Sequence, residues 1–292
     1  MTPAVKTIAA VRDAVAQARQ RGLSIGLVPT MGALHEGHVS LIRAARDENG
    51  FVVVSIFVNP AQFGPQEDLA RYPRPLQQDL EICARERVDL AFVPDVPEMY
   101  PPGFRTYLEV KELTDVLCGP SRPGHFRGVA TVVLKLFNII GPDVAYFGQK
   151  DAQQARIIEQ MVRDLNMTVR LRICPIVREP DGLALSSRNQ YLDPNQRREA
   201  SVLYRALSEA RTRIDEGERD AARLQRLMTD RIAATAGAAI DYIAVVDADT
   251  LRPIERLEGE VLLAVAVKFG ATRLIDNVKL QVPPSCACSA AE

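Results

Sequence analysis

The chain has 292 residues, of which 47% are hydrophobic and 25% charged, and its 36 basic and 37 acidic side chains almost cancel. This length is sufficient for two domains with a large core, and the even charge balance argues against nucleic acid as the main partner. The N-terminus has no cationic segment followed by an apolar one, and no apolar run is long enough to span a bilayer. We therefore expect a cytoplasmic protein that does not enter a membrane.

Short apolar runs alternate with helical patterns up to about residue 175. The patterns predict strands at 24–28, 51–58, 89–93, 106–110, 144–147 and 168–174, and helices at 75–87, 129–140 and 151–164. The run at 51–58 is apolar on both faces, as in a central parallel strand covered by helices, and Val39, Leu41, Ile42 and Ala45 mark one face of a further helix. Repeated strand–helix–strand units predict a Rossmann-like, doubly wound α/β fold, whose ligands bind beyond the carboxyl ends of the strands.

The pattern changes near Pro175. Two charged helical stretches at about 194–216 and 219–236 precede strands at 240–246, 261–267 and 273–280, which predicts a small α+β domain. We place a Rossmann-like domain at 1–176, a C-terminal α+β lid domain at 177–282 and a disordered tail at 283–292.

The five cysteines do not have the spacing of a disulfide framework. We interpret Cys83, Cys118 and Cys174 as packed thiols, and Cys286 and Cys288 as part of the tail, rather than as a metal or redox site.

Two of the three histidines, His35 and His38, lie between the predicted strand at 24–28 and a helical pattern. Open backbone N–H groups and the helix dipole at such a turn favour an anion, and Gly32 and Gly37 allow close approach of a ligand, so we expect a phosphate site. Two alternatives stay open. H-E-G-H could bind a metal, although metalloprotease helices space their histidines at i and i+4, or the turn could have no chemical role.

Three further clusters are expected near the same sheet edge. Lys150 follows the strand at 144–147 and could balance phosphate charge. The glycine-flanked segment Ala184-Leu-Ser-Ser-Arg-Asn189 offers two hydroxyls and a guanidinium, which suit closure over a triphosphate. The amides of Asn59, Gln62 and Gln154 could orient a small hydroxy acid without adding charge. Each cluster, seen alone, is also compatible with ordinary loop or helix packing.

Five segments together resemble the pantothenate synthetase (pantoate–β-alanine ligase) family. They are Pro29-Thr-Met-Gly-Ala-Leu-His-Glu-Gly-His38, Phe57-Val-Asn-Pro-Ala-Gln-Phe-Gly64, Arg122-Pro-Gly-His-Phe-Arg-Gly128, Phe147-Gly-Gln-Lys-Asp151 and Leu185-Ser-Ser-Arg-Asn189. The resemblance covers residues 5–282. H-x-G-H alone would indicate only the wider nucleotidyltransferase group, which includes class I aminoacyl-tRNA synthetases. The segment at 184–188 lacks the lysines of the synthetases' K-M-S-K-S loop, which disfavours tRNA charging.

The resemblance implies an ATP-dependent amide-forming ligase of coenzyme A biosynthesis. Pantoate and ATP would form a pantoyl-adenylate with release of pyrophosphate, and β-alanine would then give pantothenate and AMP. Such chemistry requires no protein nucleophile. Mg²⁺ would be carried on the ATP phosphates without an assigned protein ligand, since Asp79 is either an indirect ligand or a solvated helix residue. A homodimer through the first domain is also implied.

The resemblance further implies a role for each site residue. The catalytic residues would be His35, His38 as proton donor, Lys150, Ser186, Ser187 and Arg188. The ATP site would contain these residues together with Met31, Gly32, Ala33, Leu34, Glu36, Gly37, Gly148, Gln149, Asp151, Val177 and Leu185. Pantoate would bind Gln62 and Gln154, with Asn59 nearby and an apolar wall of Pro29, Met31, Val132 and Val133, although the two valines could equally be core residues.

Two other function classes remain open. A nucleotidyltransferase that acts on a phosphorylated small molecule would need extra cations, whereas the segment at 59–64 offers amides and apolar groups. A nucleotide-binding protein without activity would bind ATP but would not turn it over.

Overall fold

The computed structural model describes residues 2–65 and 67–283, so the rest of the predicted tail, with Cys286 and Cys288, lies outside the described residues. The chain divides into two compact units. The first comprises Met1–Arg178 and Leu185–Ser187, and the second comprises Glu179–Ala184 and Arg188–Glu292. The predicted boundary after residue 176 is close to this division, but the membership of Leu185–Ser187 in the first unit was not predicted.

A sheet of six parallel strands forms the centre of the first unit. The strands are β1 (Ala4–Val5), β2 (Ile25–Thr30), β3 (Phe51–Ile56), β4 (Leu90–Phe92), β5 (Val144–Gly148) and β6 (Arg170–Cys174), in the order β1-β4-β3-β2-β5-β6. Every residue of β3 is buried, which confirms the prediction of a central strand. The chain order reverses between β2 and β5, and this is where a doubly wound sheet binds its ligands.

Helices connect these strands. They are α1 (Ile8–Gln20), α2 (Glu36–Glu48), α3 (Leu76–Arg85), α4 (Val96–Met99), α5 (Cys118–Ser121), α6 (His125–Ile140) and α7 (Ala152–Asp164). The buried face of α2 includes Leu41, Ile42 and Ala45, which belong to one apolar cluster with Val28 and Val54 of the sheet. Each fully buried aliphatic side chain of this kind contributes roughly 1.5–3 kcal/mol, so packing fixes α2 against the sheet.

The second unit is a small α+β domain, as predicted. Helices α8 (Pro194–Glu199), α9 (Val202–Asp215) and α10 (Ala221–Ala233) precede the strands β7 (Ala238–Asp247), β8 (Gly259–Phe269) and β9 (Thr272–Val282), which form an antiparallel sheet in that order. Leu203 and Leu207 of α9 and Met228 of α10 share one core with Leu263 and Val265 of β8.

The predicted strand at 106–110 is wrong. The alternating burial is present, since Leu108 and Val110 are the more buried positions, but the segment forms no strand ladder. The Leu108 N–H instead donates to Thr131 Oγ1 of α6 at 3.0 Å, and Arg127 of α6 lies 4.9 Å from the centre of the Tyr107 ring. The segment therefore packs on a helix rather than on another strand.

Other elements also differ from expectation. The predicted helix at 194–216 is interrupted between α8 and α9, where the Ser201 hydroxyl donates to the Arg198 carbonyl at 2.9 Å and competes with the helical hydrogen-bond ladder. The short edge strand β1 and helix α1 were not predicted.

Cys83, Cys118 and Cys174 are buried, which confirms that they are packed thiols. Burial, with a contribution from Asp79, raises the pKa of the Cys83 thiol to about 12, so this group stays protonated at neutral pH. Among the described residues, no helix is both long and apolar enough to cross a membrane.

Candidate active site

His35 and His38 cap the N-terminus of α2 with their side chains. His35 Nδ1 accepts a hydrogen bond from the Gly37 N–H at 3.1 Å, and His38 Nδ1 accepts one from the His35 N–H at 3.3 Å. The ring centres are 4.2 Å apart. Because a backbone N–H can only donate, each Nδ1 must carry a lone pair, and the proton of each neutral ring lies on Nε2. Each ring therefore offers one Nε2–H donor.

Both rings are neutral near pH 7. Burial, together with the Lys150 ammonium, lowers the pKa of His35 to about 4. Burial, His35 and Lys150 lower the pKa of His38 to about 3. Lys150 lies in the turn after β5, with its Nζ 3.7 Å from the Asp151 carboxylate. The structure thus brings two neutral donors and one ammonium together beside the ends of β2 and β5.

Asp79 of α3 supports the turn that precedes these histidines. It is 1% exposed, and its two carboxylate oxygens accept the N–H groups of Ala33 at 2.9 Å and Leu34 at 2.7 Å. Burial raises the pKa of Asp79 and outweighs the lowering by these two bonds. Gly32 has φ +81°, and a Cβ on it would lie 2.8 Å from Asp79 Oδ2. Asp79 is therefore not a solvated helix residue but a buried support of the turn.

The expectation of open backbone N–H groups in this turn is wrong for most of its residues. Besides the two amides bound to Asp79, the Gly32 N–H donates to Thr30 Oγ1 at 3.1 Å. The N–H groups of His35, Gly37 and His38 are used within the cap itself. Anion binding here depends on imidazole Nε2–H groups and Lys150, and not on a nest of free amides.

The same cap disfavours metal binding by the two histidines. A metal ligand must offer a lone pair, and the Nδ1 lone pair of each ring is already used by a backbone N–H. Ligation through Nε2 would require an imidazolate or a broken cap. Within the part of the chain that the structure describes, no group of three His, Cys, Asp or Glu residues is arranged to hold a metal ion.

Gln62 faces this turn from the segment after β3. Its Nε2 lies 3.0 Å from the sulfur of Met31, and its Oε1 accepts from Asn59 Nδ2 at 3.1 Å. Because a thioether is a weak acceptor, a substrate carboxylate or hydroxyl would be a stronger partner for this N–H. Asn59 itself is 1% exposed, and its amide also bonds to the Gly128 carbonyl and the Tyr100 hydroxyl. Asn59 thus orients Gln62, and its direct contact with a substrate stays a prediction.

Gln154 is the second predicted substrate amide. It is half-buried in the first turn of α7, and its side chain has no hydrogen bond to any residue that the structure describes. The adjacent Gln153 is structural, because it accepts the Cys118 N–H at 3.0 Å and donates to the carbonyls of Leu113 and Val116. The role of Gln154 as a substrate ligand stays a prediction.

The predicted triphosphate loop is divided between the two units. Leu185–Ser187 belong to the first unit, where the Leu185 N–H donates to the Val177 carbonyl at 3.0 Å. Ser187 Oγ lies 3.3 Å from the hydroxyl of Tyr72, a buried residue that sequence reasoning missed. Arg188 belongs to the second unit, and its contact with the same ligand stays a prediction.

The remaining predicted site residues differ in burial. Val132 and Val133 of α6 are 7% and 4% exposed, and their place in a substrate wall stays a prediction. Pro29 and Met31, at the end of β2, are more exposed and remain candidates for that wall. Of the other predicted ATP residues, Glu36 is the first residue of α2, Gly148 ends β5, and Gln149 lies in the single helical turn that follows.

His125, the third histidine, is also neutral but carries its proton on the other nitrogen. Arg122 Nη1 donates to His125 Nε2 at 2.9 Å, and His125 Nδ1 donates to the Gln62 carbonyl at 2.8 Å. Burial and Arg122 lower the pKa of His125 to about 4. Sequence reasoning noted its segment, R-P-G-H-F-R-G, but did not predict a role for it.

Comparisons with known proteins identify the family and the fold. The sequence profile of the pantoate-beta-alanine ligase family matches residues 3–279. The chain is 63% identical over 278 residues to the pantothenate synthetase of Moorella thermoacetica, which covers 95% of this chain and 98% of that protein. The solved pantothenate synthetase of Thermus thermophilus has 46% identity and a TM-score of 0.91, covering 97% and 100% of the two chains.

A second similar structure was solved with ligands bound to it. The pantoate-beta-alanine ligase of Francisella tularensis has 37% identity and a TM-score of 0.77, covering 95% of this chain and 97% of that chain. It is complexed with beta-gamma ATP and beta-alanine.

The three histidines give a prediction for ¹⁵N NMR of histidine-labelled protein. From pH 7 down to about pH 5 we expect neutral rings, with His35 and His38 as Nε2–H tautomers and His125 as the Nδ1–H tautomer. Because the folded-state pKa values are lowered, protons bind the unfolded chain first, and stability falls as the pH drops from about 6.5 towards about 4. An Nδ1–H signal assigned to His35 or His38 would contradict the cap.

The turn gives a second prediction, for Asp79→Asn. An asparagine amide has one acceptor oxygen, so one buried N–H of the turn loses its partner, and we expect Tm to fall by about 2–10 °C. The control is Asp13→Asn, at an exposed position of α1. Equal Tm values for the two variants in differential scanning calorimetry would refute the supporting role of Asp79.

Proposed function

Because the chain belongs to the pantoate–β-alanine ligase family, we propose that this ligase joins (R)-pantoate to β-alanine through a pantoyl-adenylate, with release of pyrophosphate and AMP. One observation carries the proposal. Two neutral Nε2–H donors and Lys150 lie together at the ends of β2 and β5, and the Gln62 amide faces the same turn. This arrangement suits a polyphosphate beside a small hydroxy acid.

In the first step, a carboxylate oxygen of pantoate attacks the α-phosphorus of ATP. The bond between that phosphorus and the oxygen bridging to the β-phosphorus breaks, and pyrophosphate leaves with the electron pair. Such a transfer depends on positioning and charge neutralisation. Lys150 supplies a positive charge, and the Nε2–H groups of His35 and His38 supply donors. One preorganised donor of this kind lowers a barrier by about 3 kcal/mol.

We assign His38 as a hydrogen-bond donor rather than as an acid that gives up its proton. An imidazolium with a pKa of about 3 is scarcely populated at neutral pH. A neutral ring keeps its Nε2 proton while it stabilises the charge that develops on phosphate oxygens. This assignment replaces the proton-donor role that the family resemblance implies.

We propose that ATP binds as its magnesium complex, in which the metal would be held by the phosphates. Asp79 is a poor magnesium ligand, because both of its oxygens accept backbone N–H groups. We keep Ser186, Ser187 and Arg188 as the groups that close on the triphosphate, and Val177 with the turn at 148–151 as the remainder of the ATP site.

Pantoate is proposed to bind Gln62 and Gln154. Binding would exchange the weak thioether of Met31 for a hydroxyl or carboxylate acceptor on the Gln62 amide. In the second step the amine nitrogen of β-alanine attacks the acyl carbon of the adenylate. The carbon–oxygen bond to AMP breaks, AMP leaves, and the amine proton is released to solvent.

Charge near Gln62 argues against the nucleotidyltransferase alternative. The small-molecule substrate of such an enzyme carries a phosphate of its own. Binding that phosphate would require a cation whose charge is not already neutralised by a carboxylate. Arg122, next to His125, forms a two-pronged ion pair with Glu67 at 2.6 and 2.8 Å. Its charge is therefore compensated before any substrate binds.

A homodimer through the first domain stays a proposal that rests on the family resemblance. A cytoplasmic location stays a proposal that rests on the sequence. Sedimentation velocity at micromolar protein would test the first, and fractionation of the source cells the second.

The adenylate route gives a prediction for pantoate labelled with ¹⁸O in its carboxylate. One label should appear in AMP and none in pyrophosphate, because the attacking oxygen stays on the α-phosphorus when the acyl carbon is released. With pantoate alone, pyrophosphate should form only to the level of bound adenylate, and β-alanine should start turnover with release of AMP. Formation of ADP and labelled inorganic phosphate would show an acyl-phosphate route instead.

The donor role of His38 gives a prediction for three variants. An asparagine acceptor can replace Nδ1 in the cap but not the Nε2–H donor, whereas a glutamine amide can reach the Nε2 position. We expect His38→Ala and His38→Asn to lower kcat by about 100-fold or more, and His38→Gln to lose less. His38→Asn should keep a Tm nearer to wild type than His38→Ala does. Near-wild-type kcat in His38→Asn would exclude the donor role.

A further inference from the structure

The third histidine gives a role to the segment R-P-G-H-F-R-G. We propose that His125, held by the Arg122–Glu67 ion pair, is a positioning residue that fixes the Gln62 amide for the hydroxy-acid substrate. The inference rests on the proposed function of Gln62 and goes beyond it. His125, Arg122 and Glu67 act through Gln62 without touching the substrate.

The contacts form one continuous chain from Glu67 to Gln62. The Glu67 carboxylate accepts Nε and Nη2 of Arg122 at 2.6 and 2.8 Å. The remaining nitrogen of the Arg122 guanidinium, Nη1, donates to His125 Nε2 at 2.9 Å. His125 Nδ1 donates to the backbone carbonyl of Gln62 at 2.8 Å. Each of these bonds pairs one donor with one acceptor. The single ring proton of His125 therefore lies on Nδ1.

The charges in this chain compensate each other in a partly buried place. The side chains of Arg122 and Glu67 are 16% and 23% exposed. Burial would raise the pKa of Glu67, but the Arg122 bonds hold it below its ordinary value, so the pair stays ionised. Because Arg122 donates to His125 Nε2, the imidazole must keep its proton on Nδ1, the atom that faces Gln62. The ion pair thereby selects the Nδ1–H tautomer of His125, which can donate to the backbone carbonyl of Gln62.

Helix α6 also supplies the surface on which the Gln62 turn rests. A Cβ on Gly128 would lie 2.2 Å from the Ala61 carbonyl oxygen and 2.6 Å from the Gln62 nitrogen. Asn59 Nδ2 bonds both to the Gly128 carbonyl and to Gln62 Oε1, at 3.1 Å each. The backbone of Gln62 is thus held by α6 on one side and by His125 on the other, while Asn59 holds its side chain.

The spacing of the motif follows from these contacts. Arg122 precedes the helix and reaches Glu67, while Gly124 has φ +79° at the helix cap. His125 is the first helical residue, and its ring contacts both Arg122, which precedes the helix, and the backbone carbonyl of Gln62. Gly128 lies one turn later and leaves room for the Gln62 turn. Arg122, His125 and Gly128 each contact the segment after β3, which explains the spacing of these three residues in the motif.

A double-mutant cycle separates positioning through Gln62 from general support of the fold. If His125 acts through the Gln62 amide, His125→Ala should raise KM for pantoate about tenfold in the wild-type background. It should raise KM less than twofold once Gln62→Ala has removed that amide. KM for ATP should change less than twofold in all variants. Effects that multiply independently in the double variant would overturn the proposal.

Conservative variants test which nitrogen matters. The amide nitrogen of asparagine lies as many bonds from the backbone as imidazole Nδ1, so His125→Asn can still donate to the Gln62 carbonyl. Glutamine places its amide at the Nε2 position and cannot replace this donor. We expect His125→Asn to keep KM for pantoate within about threefold of wild type and His125→Gln to resemble His125→Ala. The opposite order would overturn the role of Nδ1.

The ion pair has a matched control elsewhere in the first unit. Arg43 forms a similar two-pronged pair with Glu86, with two bonds of 2.9 Å, away from this network. Glu67→Gln should raise KM for pantoate severalfold, whereas Glu86→Gln should leave both KM values unchanged. Equal effects of the two substitutions would show that Glu67 acts only through stability.

Failure of this inference can be distinguished from failure of the proposed function. If wild-type protein forms no AMP when pantoate, β-alanine and ATP are all present, the proposed function is wrong. If wild-type protein turns over and the cycle is additive, the proposed function stands and only the positioning role of His125 is lost. Melting curves of each variant identify any that fail to fold, and the Asn and Gln variants then replace His125→Ala in the comparison.

Discussion

The backbone N–H groups at the start of a helix need acceptors, and this chain supplies them from the Nδ1 atoms of His35 and His38. Most helix caps use a side-chain oxygen of Ser, Thr, Asp or Asn. An imidazole has two nitrogens, so satisfying the helix with one fixes a proton on the other. The requirement of the fold thereby produces two neutral donors at the edge where a doubly wound sheet binds its ligand.

The two sides of the site depend on different long-range supports. Asp79 takes up two amides of the turn before the histidines, so that backbone is fixed without a ligand. On the other side, His125 and Gly128 of α6 hold the backbone of Gln62. Neither support carries out chemistry. Both restrict the side chains that would meet the substrates, and such preorganisation reduces the ordering that binding must otherwise impose.

Sequence reasoning succeeded where periodicity and segment order decide structure, and it failed where a distant partner decides it. The parallel sheet and both units follow from apolar patterns, but the strand predicted at 106–110 bonds instead to Thr131 of a helix. The histidines, lysine and amides of the site were predicted from their place after strands. The roles of Asp79 and His125 were not, because their partners lie 45 and 63 residues away along the chain. Helix α1 had an apolar spacing that could have revealed it.

The central claim is that His35 and His38 bind phosphate as neutral Nε2–H donors while their Nδ1 atoms cap α2. Neutron diffraction from crystals grown with a non-hydrolysable ATP analogue would locate these protons directly. We expect deuterium on Nε2 of both rings, each directed at a phosphate oxygen within hydrogen-bond distance, and none on either Nδ1. Deuterium on Nδ1 of either ring, or phosphate oxygens bound by the amides of the turn in place of the rings, would contradict it.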